Sequence, residues 1–117
     1  MKKIYHLSTC NTCQRIIQEI NPDNEVQLQD IKTEAITQEQ IQAMHVLAGS
    51  YEALFSKRAQ LYRQRNLSEQ ELSEDDYRNL ILEHYTFLKR PVMIINDTIF
   101  IGNSKKVVAQ AVEAFKK

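Results

Sequence analysis

The chain carries no net charge, because fifteen Lys and Arg side chains offset fifteen Asp and Glu. No global field therefore favours direct nucleic-acid binding or an anionic membrane, and any recognition of an anion has to be local. Long hydrophobic runs are missing too. No stretch approaches the roughly 18 consecutive apolar residues of a membrane span. No apolar signal region follows Lys2 and Lys3, so a cytoplasmic location is expected, where structural disulfides are rare. Repeats, linkers and low-complexity segments are absent as well. What remains is 117 residues, 43% of them apolar, enough for one compact domain over 1–117 without disulfide staples. Cysteine is scarce, with only Cys10 and Cys13 present. In a reducing compartment a three-residue spacing points to redox chemistry or to metal, not to a staple.

Periodicity orders the elements. Lys3 to Leu7 reads as a strand, and Ser8-Thr9 turns the chain. Ile16, Ile17 and Ile20 then recur at helical spacing, so a helix starts near Cys10 or Asn11 and stops at Asn21-Pro22-Asp23-Asn24. Glu25 to Ile31 alternates polar and apolar residues as a second strand, and the short loops imply a parallel crossover. A helical block follows. Thr37 and Gln40 form a capping box, Ile41, Met44 and Leu47 face inward, and Gly49 ends the helix. More helix is expected over 50–66, with Leu54, Phe55, Leu61 and Tyr62 inward. A last helix is capped at Ser73 and carries Tyr77, Leu80, Ile81 and His84. After Lys89-Arg90-Pro91, the runs 92–95 and 98–101 make a hairpin around Asn96-Asp97. Gly102-Asn103-Ser104 leads into an amphipathic helix with Val107, Val108, Ala111, Val112 and Phe115 on one side. The order βαβ, helical insert at about 37–87, ββα defines an α/β fold with a mixed four-stranded sheet.

A thiol in the first turn of a helix meets unpaired backbone N–H groups and the positive end of the helix dipole, and both favour thiolate. Cys10 is therefore the expected attacker. Cys13, one turn on and on the same face, is placed to resolve a mixed disulfide. The N–H groups of that turn, around Asn11 and Thr12, also suit an oxyanion. Arg90, held extended before Pro91, has a guanidinium that matches a tetrahedral oxyanion, although a Lys-Arg pair also suits a solvated loop end. His6, four residues before Cys10, is either core or a neighbour of the thiol. Arg15, His45, His84 and the Lys57, Arg58, Arg63 and Arg65 charges read as solvated or ordinary packing positions. A Cys-Cys-His metal site lacks the further ligands that structural zinc takes, so no metal is expected.

Tyr5-His6-x-x-x-Cys10-x-x-Cys13, followed about 80 residues later by Arg90-Pro91 and four apolar residues, resembles the arsenate reductase (ArsC) family, which includes the Spx-type regulators. The likeness covers nearly the whole chain. It implies a thioredoxin-like fold with an inserted helical subdomain and a cis-proline, Pro91, facing the redox cysteine. It also implies that Cys10 is the nucleophile, with His6 held near it and Arg90 clasping the oxyanion. Arg58 is the counterpart of a second clasping arginine, although the register from Gly49 puts Lys57 or Ser56 close to that slot, and a third has no counterpart in Thr98-Ile99-Phe100-Ile101. Glutathione-coupled members usually lack a second cysteine. Cys13 and Ser56-Lys57-Arg58-x-x-x-Tyr62 look more like the Spx branch, whose members bind RNA polymerase and sense disulfide stress.

The expected activity is a thiol-based reductase acting on an arsenate-like oxyanion or a disulfide. It binds no cofactor and is supplied with electrons by glutathione and glutaredoxin or by thioredoxin. The alternative is a redox-sensing regulator that docks on an RNA polymerase subunit. In either case a monomer is expected.

Overall fold

The computed structural model describes residues 1–116, and two compact units divide them. One is built from residues 1–34 and 90–116, the other from 35–89. The helical insert expected at about 37–87 falls within the second unit.

In the first unit, β1 (Lys2–His6), α1 (Asn11–Ile20) and β2 (Val26–Asp30) form a crossover whose strands pair in parallel, Ile4 beside Leu28 and His6 beside Asp30. Asn21 ends α1 in a left-handed conformation, its N–H donating to the Ile17 carbonyl. Asn is among the few residues that take this conformation at modest cost, and Pro22 next to it forbids further helix. β3 (Val92–Ile95) and β4 (Thr98–Ile101) make the expected hairpin, with Asn96 at a positive φ of 55° in the turn. β3 runs antiparallel to β1, so the sheet order is β2-β1-β3-β4. The register places Ile4, Met93 and Phe100 side by side on one face. They pack with Ile16 and Ile20 of α1 and with Val107, Val108 and Ala111 of α5 (Lys105–Phe115). Burying such side chains stabilises by about 1.5–3 kcal/mol each.

One strand departs from its pattern. Strict alternation in β2 leads one to expect Leu28 inside and Gln29 outside. Instead Leu28 is 49% exposed and Gln29 only 2%. β2 is an edge strand, so Leu28 lies at the margin of the covered face. On the other face the buried Gln29 amide donates to the Glu34 carbonyl at 3.1 Å, which satisfies a polar group that would otherwise be costly to bury.

The inserted unit opens with α2 (Gln38–Ala48), where the capping box of Thr37 and Gln40 is fully formed, and Gly49 closes it at φ +91°. Residues 50–66 do not form the continuous helix the apolar spacing suggested. A single 3-10 turn covers Glu52–Leu54, Phe55 is extended, and α3 spans only Gln60–Gln64. The reason is tertiary. Phe55 bridges Leu88 in antiparallel fashion, with Ser56 N–H donating to the Phe87 carbonyl and Lys89 N–H to the Leu54 carbonyl. The Phe55 ring stacks on Phe87 at 5.3 Å and meets Tyr77 at 4.8 Å. α4 (Glu74–Glu83) starts at Ser73 as expected but stops before His84, which is extended and accepts from the Thr86 N–H.

The Ser73 hydroxyl accepts from the Asp76 N–H while the Asp76 carboxylate accepts from the Ser73 N–H. Ser73→Ala should therefore cost about 1 kcal/mol. The urea midpoint should fall with an unchanged slope, since the exposed surface on unfolding stays the same. An unaltered midpoint would show that the cap contributes nothing here. Among the described residues, no helix is long and apolar enough to cross a membrane.

Candidate active site

β1 delivers the chain to the site, and α1 begins there. Cys10 is the N-cap of α1, in an extended conformation at φ −98° and ψ 112°, with no side chain capping it. The uncapped first-turn N–H groups are thus left for the Cys10 sulfur itself. The turn is tied by Cys10 N–H donating to the Leu7 carbonyl at 3.0 Å. Cys10 is half-buried and Cys13 wholly buried at 0% exposure, and both are free thiols.

Their electrostatics diverge. Burial alone would raise the Cys10 pKa, yet it lies below the ordinary thiol value. Hydrogen bonds from the Cys13 backbone, the Cys13 thiol and the Thr12 backbone outweigh that burial, together with the charge of Arg90. Burial pushes Cys13 the other way, to about 11. A hydrogen bond from the Leu7 backbone opposes the rise, while the negative charge of Cys10 adds to it. The two sulfurs thus share one hydrogen bond, with the anion on Cys10 and the proton on Cys13.

Cys10 and Cys13 act on each other directly, the Thr12 N–H acts on Cys10, and the Arg90 charge acts on both thiols. Arg90 is half-buried and precedes a cis peptide to the buried Pro91, as the family resemblance implied. The Pro91 carbonyl accepts from the Gly102 N–H at 2.9 Å, anchoring the start of β3 to the end of β4. Asn11 is exposed at the helix start, and Arg15 is exposed on its outer side. His6 is half-buried at the end of β1, where burial lowers its pKa against the opposing pull of Asp30. Arg58 belongs to the inserted unit and stands exposed in the turn before α3, beside Lys57, which pairs with Glu52 at 3.0 Å. Among the described residues no three His, Cys, Asp or Glu side chains gather as a metal ion would require.

Sequence reasoning missed Gln14. Its side-chain amide donates to the Leu7 carbonyl at 3.2 Å and lies 3.5 Å from His6 Nδ1. One signal was available: a polar residue four after Cys10, set between Cys13 and Ile17 on the inward stripe of α1.

A family model described as the ArsC family matches residues 5–111, and the chain belongs to that family. Solved structures share its thioredoxin-like fold. An arsenate reductase from Vibrio cholerae is 20% identical, with 96% of this chain and 95% of that one covered and a TM-score of 0.76. An arsenate reductase (ArsC) related protein from Brucella melitensis is 20% identical over 99% of this chain and 95% of its own, at a TM-score of 0.67. A protein from Staphylococcus aureus COL is 23% identical over 95% and 98%, at 0.73. No curated protein matches the chain.

Proposed function

We propose that the chain is a thiol-based oxidoreductase in which Cys10 attacks and Cys13 resolves. The observation that carries this reading is the opposite displacement of two thiols sharing one helical turn, Cys10 downward and Cys13 up to about 11. A thiolate and a protonated thiol in contact make an attacker and a held reserve.

With a disulfide substrate, the Cys10 thiolate attacks one sulfur, forms a mixed disulfide and expels the other as a thiolate. Cys10 then carries no charge, which removes one cause of the high Cys13 pKa. Cys13 loses its proton and attacks the Cys10 sulfur, expelling the second thiolate. One substrate disulfide becomes two thiols, and Cys10–Cys13 becomes the disulfide. With arsenate, the same two thiols supply two electrons, and arsenite forms as one oxygen departs in water. Arg90 and the first-turn N–H groups around Asn11 and Thr12 balance the oxyanion's charge in this scheme. An external thiol donor, glutathione with glutaredoxin or thioredoxin, returns the pair to the dithiol.

A second reading is a redox-switched regulator that docks on an RNA polymerase subunit through the segment 49–58. The exposed position of Arg58 in the turn before α3 favours it.

Turnover with arsenate and with a model disulfide, each run with glutathione/glutaredoxin and with thioredoxin, separates the two. Turnover in at least one combination is expected. In parallel, mild diamide should remove about two protons' mass per chain without dimers, since residues one helical turn apart can be bridged. Disulfide closure with no turnover in any combination favours the regulator, and dimers as the main product remove Cys13 from the resolving role.

A further inference from the structure

We propose that Gln14 is a positioning residue of the Cys10/Cys13 site: its amide clamps the His6 ring to the Leu7 peptide and holds the ring's proton on Nε2. The proposal takes its purpose from the redox reading above, but its geometry stands without it.

The orientation of the amide is set by the Leu7 carbonyl, which can only accept. It receives the Cys10 N–H at 3.0 Å and a Gln14 side-chain atom at 3.2 Å, so that atom is the NH₂ nitrogen. The same nitrogen lies 3.5 Å from His6 Nδ1. An NH₂ group only donates, so Nδ1 must accept, and the proton of the neutral ring goes to Nε2. A protonated ring would set an Nδ1–H against a second donor, so the clamp disfavours the cation. The charged group facing the ring from the neighbouring strand is Asp30, the register partner of His6. It favours the cation, but its Oδ1 is already engaged by the Ser8 and Lys32 N–H groups at 3.3 and 3.2 Å. Burial also disfavours the cation, and it holds His6 below its ordinary value against the opposing pull of Asp30.

The clamp matters to the cysteines because Leu7 serves both. Its carbonyl holds the Cys10 N–H, and its backbone hydrogen-bonds to the Cys13 sulfur. Gln14 thus fixes ring, peptide and turn as one piece. A neutral ring with Nδ1 engaged supplies no cation to the thiolate. Stabilisation of the Cys10 anion is left to the Cys13 and Thr12 groups and to Arg90.

Two-bond proton–nitrogen NMR correlations on the full reduced chain read the tautomer directly. At about pH 8, above the ordinary imidazole range, His6 should show the Nε2–H pattern. Gln14→Met should leave a mixture of tautomers. Gln14→Glu offers an acceptor to an Nδ1–H and should raise the His6 pKa by about 1 unit or more. An Nδ1–H ring in the unaltered chain overturns the proposal, and this measurement needs no variant to fold. The same tautomer and pKa in both variants also overturns it. Alkylation of Cys10 on the same samples reports the redox reading separately. A Cys10 with an ordinary pKa would sink that reading while leaving the tautomer result intact.

Discussion

Cys10→Ser should bring turnover to background, a loss on the order of 10³-fold or more, as removal of a covalent nucleophile generally does. The N–H groups that draw the Cys10 thiol below its ordinary pKa cannot ionise a serine hydroxyl, whose pKa lies far higher. Cys13→Ser should behave differently. The first attack survives, the mixed disulfide accumulates, and mass spectrometry finds it as an adduct on Cys10. An external thiol then releases it, so activity falls without vanishing. The pH dependence follows from the two displacements. Thiolate is the reactive form, so iodoacetamide labelling of Cys10 persists below the ordinary thiol range and fades as pH drops through its depressed pKa. Cys13, pushed up to about 11 chiefly by burial, should stay unlabelled until strongly alkaline pH. Faster labelling of Cys13 than of Cys10 below about pH 7, well under the usual thiol value, would reverse the assigned roles.

The opposite displacement of these thiols was legible because it needs only a strand, a tight turn and a helix that starts at Cys10. Each has a local signature. The same holds for the caps at Thr37 and Ser73, the stop at Asn21-Pro22 and the turn at Asn96-Asp97, where side chain and backbone lie within a few residues of each other. Features that rest on distant partners were not legible. Phe55 sits among residues with helical spacing, and its extended form depends on Leu88, thirty-three positions away. Gln29 looks like the solvent side of an alternating strand until its amide is seen to reach the Glu34 carbonyl. Gln14 belongs to the same class. Its partners are a main-chain carbonyl and a ring eight residues upstream, and nothing in a side-chain pattern announces a backbone acceptor. Arg90 lies in between. The Arg-Pro pair marked an extended residue at a strand start, but only the fold brings its charge to bear on residues 10 and 13.

Arg90 carries a charge that acts on both thiols and, in the proposed function, a fork that clasps the oxyanion, and its replacement should show both. As a charge it lowers the pKa of Cys10 and opposes the rise at Cys13. As a planar fork of N–H donors it suits two oxygens of one anion. Arg90→Ala removes both, so the Cys10 pKa should move up and protection of Cys10 by sulfate or arsenate should weaken. The loss of a charge-assisted contact of roughly 1.5–3 kcal/mol corresponds to about 10- to 150-fold in anion affinity. Arg90→Lys keeps a point charge and discards the fork. It should retain much of the thiolate stabilisation while anion protection remains impaired. Lysine restoring both equally would mean that charge alone matters and that no bidentate clasp exists. Alanine leaving anion protection intact would remove Arg90 from oxyanion binding altogether. In that case arsenate loses its standing as a substrate, and a disulfide, which needs no cationic clasp, becomes the better match for the Cys10/Cys13 pair. Arg58→Ala supplies the contrast in the inserted unit. If it weakens binding of an RNA polymerase subunit while Cys10 reactivity and anion protection stay unchanged, the exposed turn before α3 is a docking element, and the regulator reading gains what the reductase reading loses.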